Sequence, residues 1–595
     1  MPPFVPERRG SRWMVPLLLL LSAALYVGTA GTPALVDDDI DAAHALVARE
    51  MLQRHDWVIP YQDGIRYLIR PPLHFWLVAA SYAVFGETAF ATRLPVALAM
   101  VGLVLLTFVF GRRFFSERSG FYAALVVATS PGMFIFTRTV IPEAIYALEF
   151  TAIFYLFLRS WTGSLDPRVG CRAAAAVCGL AALTRGPIGV LFPAAAIAAF
   201  LTATGTWRRW KELRLTSSAA VFLAVAVPWH VLAELRAPGF AWAYFVNEHV
   251  LRALGTRQPK DYGAVPLGLW LLEHFLWLFP WSLFAPALVR LFPRPGTWRS
   301  TGDAGAAARR MLFLWAGVII LFFAIESGSR MEYYSFGAWP ALALLLGHGL
   351  DSAERSGKRW VGAVTGALAA AAAVYAALAV TAVSALGRNG GDIVSHLQTR
   401  DTNAYQTAMA RVADLTPQAL ADLRAPLLVS AGALVVAFAA AWGFRRRGRP
   451  LAATMAMAAG MASLFVAANL AYSDLEPSFS SVGLARQLDG LLRPGDRIAF
   501  YGDIRVAPGV AFYCRRRVLL WDASVTNLLY GSRYPDAPKT LYDDREFTAL
   551  WTSPDRVVLV VPSEESAEAL AKLPPNTSRI LASAGGKTAY VNRAS

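Results

Sequence analysis

Apolar runs of about twenty residues recur from the N-terminus to near residue 471, separated by short basic loops and a few longer polar ones. A helix needs roughly 20 such residues to cross a bilayer, and on that criterion the pattern predicts about thirteen spans. They cover residues 13–31, 92–110, 119–136, 141–158, 171–184, 188–204, 217–235, 265–288, 311–325, 333–349, 361–386, 425–441 and 451–471. Arg112 and Arg113, Arg159 and Arg168, Arg208 and Arg209, Arg309 and Arg310, and Arg445 to Arg447 fall in alternate loops. Cytoplasmic loops carry that bias. The expected topology is therefore an N-terminus in the cytoplasm and a C-terminus outside. The opposite face receives the longer polar segments, residues 32–91, 236–264, 387–424 and 472–595.

The last of these changes character. Short β-rich runs at 497–501, 518–521 and 557–561 alternate with turns and a helical stretch at 563–572, which is enough chain for a small α/β domain. The expected fold class is thus mainly α: a polytopic membrane helical bundle over residues 1–472 with an external loop at 32–91, followed by an extracytoplasmic α/β domain over 473–595. No internal repeat marks two matching halves, whereas transporters are often built from such halves.

Composition removes several function classes. Of 595 residues 56% are hydrophobic and 16% charged, against about a quarter charged in soluble domains. The net charge of +15 resides largely in the basic loops, and no aromatic-studded basic patch of a nucleic-acid binder accompanies it. Cys171, Cys178 and Cys514 have neither disulfide-framework nor zinc spacing.

Candidate chemistry begins in the first external loop. Asp37, Asp38, Asp39 and Asp41 place four carboxylates at a membrane edge, where ionisable groups often mark function; an acidic helix start is the plainer reading. Residues 42–54 follow with helical apolar spacing and suit an amphipathic helix lying on the membrane. Arg70 precedes Pro71 and Pro72, which holds it extended and displays a cation suited to a phosphate.

These residues, with Asp56-Trp57, Gly64 and Tyr67, and with Gly86-Glu87, Arg93-Leu94-Pro95, Pro142-Glu143, Thr184 to Pro187, Pro228-Trp229, Glu248-His249 with Arg252, and Arg330 with Tyr334 and Pro340, resemble in order the GT-C glycosyltransferases that include protein O-mannosyltransferases and the aminoarabinose transferases of lipid A. Two departures stand out. The family often has Asp-Glu where this chain has Asp39, Ile40 and Asp41, and Glu-Lys where it has Ile69 and Arg70.

The resemblance implies an inverting sugar transfer from a polyprenyl-phosphate donor to an envelope lipid, glycan or protein acceptor, in a bacterial inner membrane with the C-terminus periplasmic. Under it Asp41 or Asp39 is the expected base, while Arg70, Arg252 and Arg330 hold the donor phosphate. Glu248 and His249 orient the acceptor or a divalent metal ion, for which Asp41 and His249 are the expected ligands. Glu143, Arg185, Tyr67 and Tyr334 are expected in supporting roles. A polar-lipid transporter or flippase is the alternative.

Overall fold

The computed structural model describes residues 12–37, 40–260, 264–299, 303–326, 328, 330–398, 421–502, 505–523 and 527–592, with side chains of 385–398 excepted. Its helices begin with α1 (Met14–Ser22), α2 (Asp41–Arg54), α3 (Leu73–Phe85), α4 (Ala89–Phe114), α5 (Glu117–Ala128), α6 (Pro131–Ile135), α7 (Glu143–Trp161), α8 (Pro167–Arg185), α9 (Ile188–Thr204), α10 (Leu215–Arg236) and α11 (Leu267–Trp277). Among the described residues, six helices are long and apolar enough to cross a membrane: Ala89–Phe114, Leu215–Arg236, Ala304–Ile325, Arg359–Ser384, Arg424–Arg446 and Pro450–Asp474. Met14–Val27, Leu73–Phe85 and Ile188–Thr204 are shorter apolar helices.

Proline breaks two of the expected spans. Ser130, in extended conformation before Pro131, separates α5 from α6, because a residue preceding proline is pushed out of the helical region. The segment expected at 265–288 becomes α11, a 3-10 turn at Trp281–Phe284 and a short helix at Pro286–Leu291, with Pro280 and Pro286 at the breaks.

The α/β region past the last long helix is a six-stranded sheet. Its strands are β3 (Arg497–Tyr501), β4 (Val518–Trp521), β5 (Leu541–Tyr542), β6 (Val557–Pro562), β7 (Arg579–Ala584) and β8 (Lys587–Val591), after a small β1–β2 hairpin (Tyr61–Gln62, Ile65–Arg66) in the first loop. The order is β5-β4-β3-β6-β8-β7. β4 and β6 flank β3 in parallel, and β8 pairs antiparallel with both β6 and β7.

Contrary to the expectation of a surface helix, α2 is buried over ten of its fourteen residues. One apolar core joins Leu46, Val47 and Met51 of α2 to Ile498, Val510, Val518 and Val558 of the sheet region. The first loop and the C-terminal sheet therefore share one side of the membrane helices. Asp37 pins them together: its buried carboxylate accepts from Lys587 Nζ at 2.8 Å and from Ser481 Oγ at 2.7 Å.

Removing one partner of a buried pair leaves an uncompensated charge and costs about 3–5 kcal/mol. Lys587→Met is therefore expected to lower the thermal midpoint sharply. The double variant Asp37→Ala, Lys587→Met should lose less than the two single losses combined, as read by thermal unfolding in detergent.

Candidate functional site

The side chains expected to act do not form one cluster; they divide between two. The first surrounds Asp41, the first residue of α2. Its Oδ2 accepts from the Val36 amide at 2.9 Å and from Arg93 Nη2 at 2.8 Å, and its Oδ1 accepts from the Val140 amide at 2.9 Å. Asp41 and Arg93 are both essentially inaccessible, at 0% and 1% exposure. Arg93 also donates to the carbonyl of Pro33. The carboxylate thus ties the first loop, α4 and the turn before α7 together, with both oxygens already accepting. Asp41, the expected base, thus also has a structural role here. Asp39, its expected alternate, lies outside the described residues, as does Asp38.

The second cluster surrounds Arg70, at the end of the hairpin loop where Pro71 and Pro72 lead into α3. Its electrostatic neighbours include Tyr67, Glu248, Arg252 and Tyr334. Arg70 makes no hydrogen bond or ion pair among the described residues, and its buried Nε has no acceptor. By contrast, Glu248 is bracketed by Arg252 and by Arg257, whose Nε lies 2.7 Å from Glu248 Oε2. Burial alone would raise this carboxyl, but Arg252, Arg257 and Arg70 outweigh it and hold it down at about 2. Arg185, at the end of α8, pairs with Glu143 at 2.7 Å, and its guanidinium lies 5.5 Å from the Tyr334 ring centroid.

Gly186 closes this wall. Its φ is +78°, and a methyl group there would come within 2.4 Å of Tyr244 Oη and 2.7 Å of His249 Nε2. The sequence Arg185-Gly186 therefore places a cation and then a backbone flat enough for His249 to approach. His249 Nδ1 faces the Tyr244 carbonyl at 2.7 Å, and burial lowers its pKa.

Two histidines that were not among the sequence candidates belong here. His44, one turn past Asp41, points its Nδ1 at the Val140 carbonyl at 2.7 Å. Its Nε2 has no hydrogen-bond partner among the described residues. Burial, then His74 and Arg70, push its pKa well below the ordinary histidine value, with Arg185 adding to the effect. His74 lies four residues after Arg70, its ring 5.6 Å from that of His44. Burial, outweighing a contribution from the Val140 carbonyl, takes His74 to about 4. Both are therefore neutral at pH 7. Their signal in the sequence was spacing alone: His44 three residues after Asp41, and His74 four after Arg70.

Arg330, expected at the donor phosphate, is engaged by backbone carbonyls. Its Nε and Nη2 both donate to the Val265 carbonyl, and its Nη1 donates to the carbonyls of Phe323 and Glu326. Its guanidinium joins the end of the helix Ala304–Ile325 to the segment at Val265. The metal expected at Asp41 and His249 lacks a fit. Asp41 already holds Arg93, a cation that opposes a second one, and the described residues contain no group of three metal-ligating side chains.

The architecture is a polytopic bundle of apolar helices with a cation cluster at the end that meets a small α/β sheet. Residues 69–231 match the family model for dolichyl-phosphate-mannose-protein mannosyltransferases. The chain is 29% identical over 349 residues to undecaprenyl phosphate-alpha-4-amino-4-deoxy-L-arabinose arabinosyl transferase 2 of Pseudomonas fluorescens, covering 57% of this chain and 60% of that one. It is 28% identical over 359 residues to the corresponding transferase of Aeromonas hydrophila, covering 59% and 62%. These alignments span about three fifths of each relative's length. The fold is similar throughout to ArnT from Cupriavidus metallidurans bound to undecaprenyl phosphate, with a TM-score of 0.80, 22% identity and coverage of 98% and 99%.

Proposed function

We propose that this chain transfers a sugar from a polyprenyl-phosphate donor to an envelope acceptor, at the face of the membrane where the first loop and the C-terminal sheet meet. The observation that carries this reading is Arg70, a largely enclosed guanidinium with no hydrogen bond or close ion pair among the described residues, beside the Glu248 carboxylate that Arg252 and Arg257 already bracket. An enclosed guanidinium whose donors are not taken up directly is costly to leave so, and a bound phosphate would supply the missing acceptors. Sugar transfer leaves the carrier as a phosphate dianion, and cations aimed at the developing charge lower the barrier. Arg70 is the direct contact, Arg252 and Arg185 contribute the surrounding field, and Glu248 and Glu143 hold those two arginines in place. Tyr67 and Tyr334 line the same cluster.

The acceptor hydroxyl or phosphate needs somewhere to send its proton. His44 supplies a neutral imidazole whose Nδ1 is fixed on the Val140 carbonyl, which leaves Nε2 to accept a proton, and Arg70 and Arg185 are among its electrostatic neighbours, so we assign it the base. In-line displacement inverts the anomeric centre. The names of the bacterial relatives favour an undecaprenyl-phosphate-linked pentose as donor, and lipid A, another glycan or a protein as acceptor. We place the protein in a bacterial inner membrane, with the N-terminus cytoplasmic and the first loop and C-terminal sheet periplasmic, as the basic loops favour.

The test is transfer of radiolabel from polyprenyl-phosphate sugar to envelope lipid by the purified protein in detergent. Labelled product released from the carrier supports the proposal. Donor that stays intact while it moves across reconstituted vesicles would sink it in favour of a transporter.

A further inference from the structure

A cavity of about 270 Å³ lies between α2, the β1–β2 turn and the segment joining the helix Ala507–Cys514 to β4. Its lining includes Arg49, Arg54, Arg515, Arg516 and Arg517, against two carboxylates, Glu50 and Asp63, a formal balance of +3. At about 100° per residue, Glu50 and Gln53 project from the side of α2 away from His44. The cavity is thus separated from the Arg70 cluster by the helix itself.

The arginines divide by what already satisfies them. Arg49 donates to the carbonyls of Ala511 and Phe512, Arg54 to Glu50 and Arg516 to Pro494. These hold the walls. Arg515, at φ +53°, is exposed, and its nearest carboxylate is Glu87 at 3.9 Å. Arg517 is exposed and has no hydrogen bond or ion pair among the described residues. Its Nη2 lies across Gly64, within 2.6 Å of where a side chain there would begin.

Three consecutive guanidiniums at one turn repel one another, and the local carboxylates do not neutralise them. Glu50 is already shared between Arg54 and the Gly64 amide. Asp63 accepts from the Val518 amide, and burial together with Glu50 raises it to about 7, which weakens its negative charge near neutrality.

We propose that this cavity is a second anion site that binds a phosphate group of an envelope lipid headgroup, with Arg515 and Arg517 as its ligands. Guanidinium forks match phosphate oxygens two at a time, and the volume, slightly below the range of about 300–1,000 Å³ typical of small-molecule pockets, suits a headgroup rather than a whole lipid. The walls come from both the first loop and the C-terminal sheet, so an occupant bridges the two parts that enclose the Arg70 cluster. This binding does not depend on the transfer reaction.

The test uses the full-length protein in mixed micelles containing phosphatidic acid, with inorganic phosphate as a second arm, and reads binding by equilibrium dialysis with radiolabelled ligand. The double variant Arg515→Ala, Arg517→Ala is expected to weaken binding of the lipid phosphate at least tenfold, and Arg515→Lys, Arg517→Lys to weaken it partly, since charge survives but the fork is lost. Both residues are exposed, so folding should be kept, and an unchanged melting profile verifies it. Comparable binding of inorganic phosphate, equally sensitive to the variants, would overturn the lipid source and make free phosphate the ligand. Equal binding by wild type and the alanine variant would overturn the site, as would full binding by the lysine variant, which marks a diffuse field.

Discussion

Arg70→Ala is expected to lower transfer by about 10² to 10³-fold, the loss seen when one preorganised donor to developing negative charge is removed. The effect should fall on turnover as well as on carrier binding, because a cation that holds the ground-state phosphate holds the departing dianion more strongly. Stability should move the other way. Arg70 makes no hydrogen bond or ion pair among the described residues, so its removal breaks no direct contact and eliminates the enclosed donors, while Glu248 keeps Arg252 and Arg257. The thermal midpoint of the unliganded protein is expected to stay level or rise, the pattern of an active site whose function opposes stability. Arg70→Lys should retain part of the activity, since it keeps the charge and loses the fork. The measurements are initial rates of label transfer and unfolding midpoints on the same preparations. A midpoint that falls while turnover survives would make Arg70 a structural residue.

Much of this fold was legible because its signals are local. Twenty apolar residues read as a span without reference to anything else, and the runs at 497–501, 518–521 and 557–561 coincide with β3, β4 and β6, three of the four adjacent parallel strands. Those strands are buried along almost their whole length, which produces continuous apolar runs. β5 has two half-buried residues, and β7 is largely exposed, so neither carries such a run.

The burial of α2 could not be read locally. Its polar face looks solvated, but Arg49 is satisfied by carbonyls of residues 511 and 512, more than 450 positions along the chain. The candidate site was legible in part for the same reason. Arg70 was found because two prolines mark it, and Glu248 because charged neighbours stand beside it. That Arg330 is saturated by carbonyls, and that Asp41 faces Arg93, are tertiary facts. Composition and spacing give a cation no address.

The proton acceptor separates the sequence expectation from the structural one. His44→Asn is expected to cut turnover by about 10² to 10⁴-fold, the usual contribution of a general base. The asparagine amide nitrogen can still donate to the Val140 carbonyl, so the substitution removes the base while sparing the buried acceptor. Asp41→Asn should do the reverse. It leaves Arg93 buried without its anion, a loss of about 3–5 kcal/mol in stability, but the molecules that remain folded should turn over at close to the wild-type rate. The pH profile supplies an independent reading. His44 is held low by burial, His74 and Arg70, so the free protein keeps it neutral well into acid. A bound phosphate offsets the Arg70 charge and favours imidazolium, which raises the His44 pKa in the complex. The acid limb of kcat should therefore lie at higher pH than the acid limb of kcat/KM, and both limbs should vanish in His44→Asn. If Asp41→Asn abolishes turnover in protein of normal stability while His44→Asn retains it, the base belongs to the acid at the start of α2.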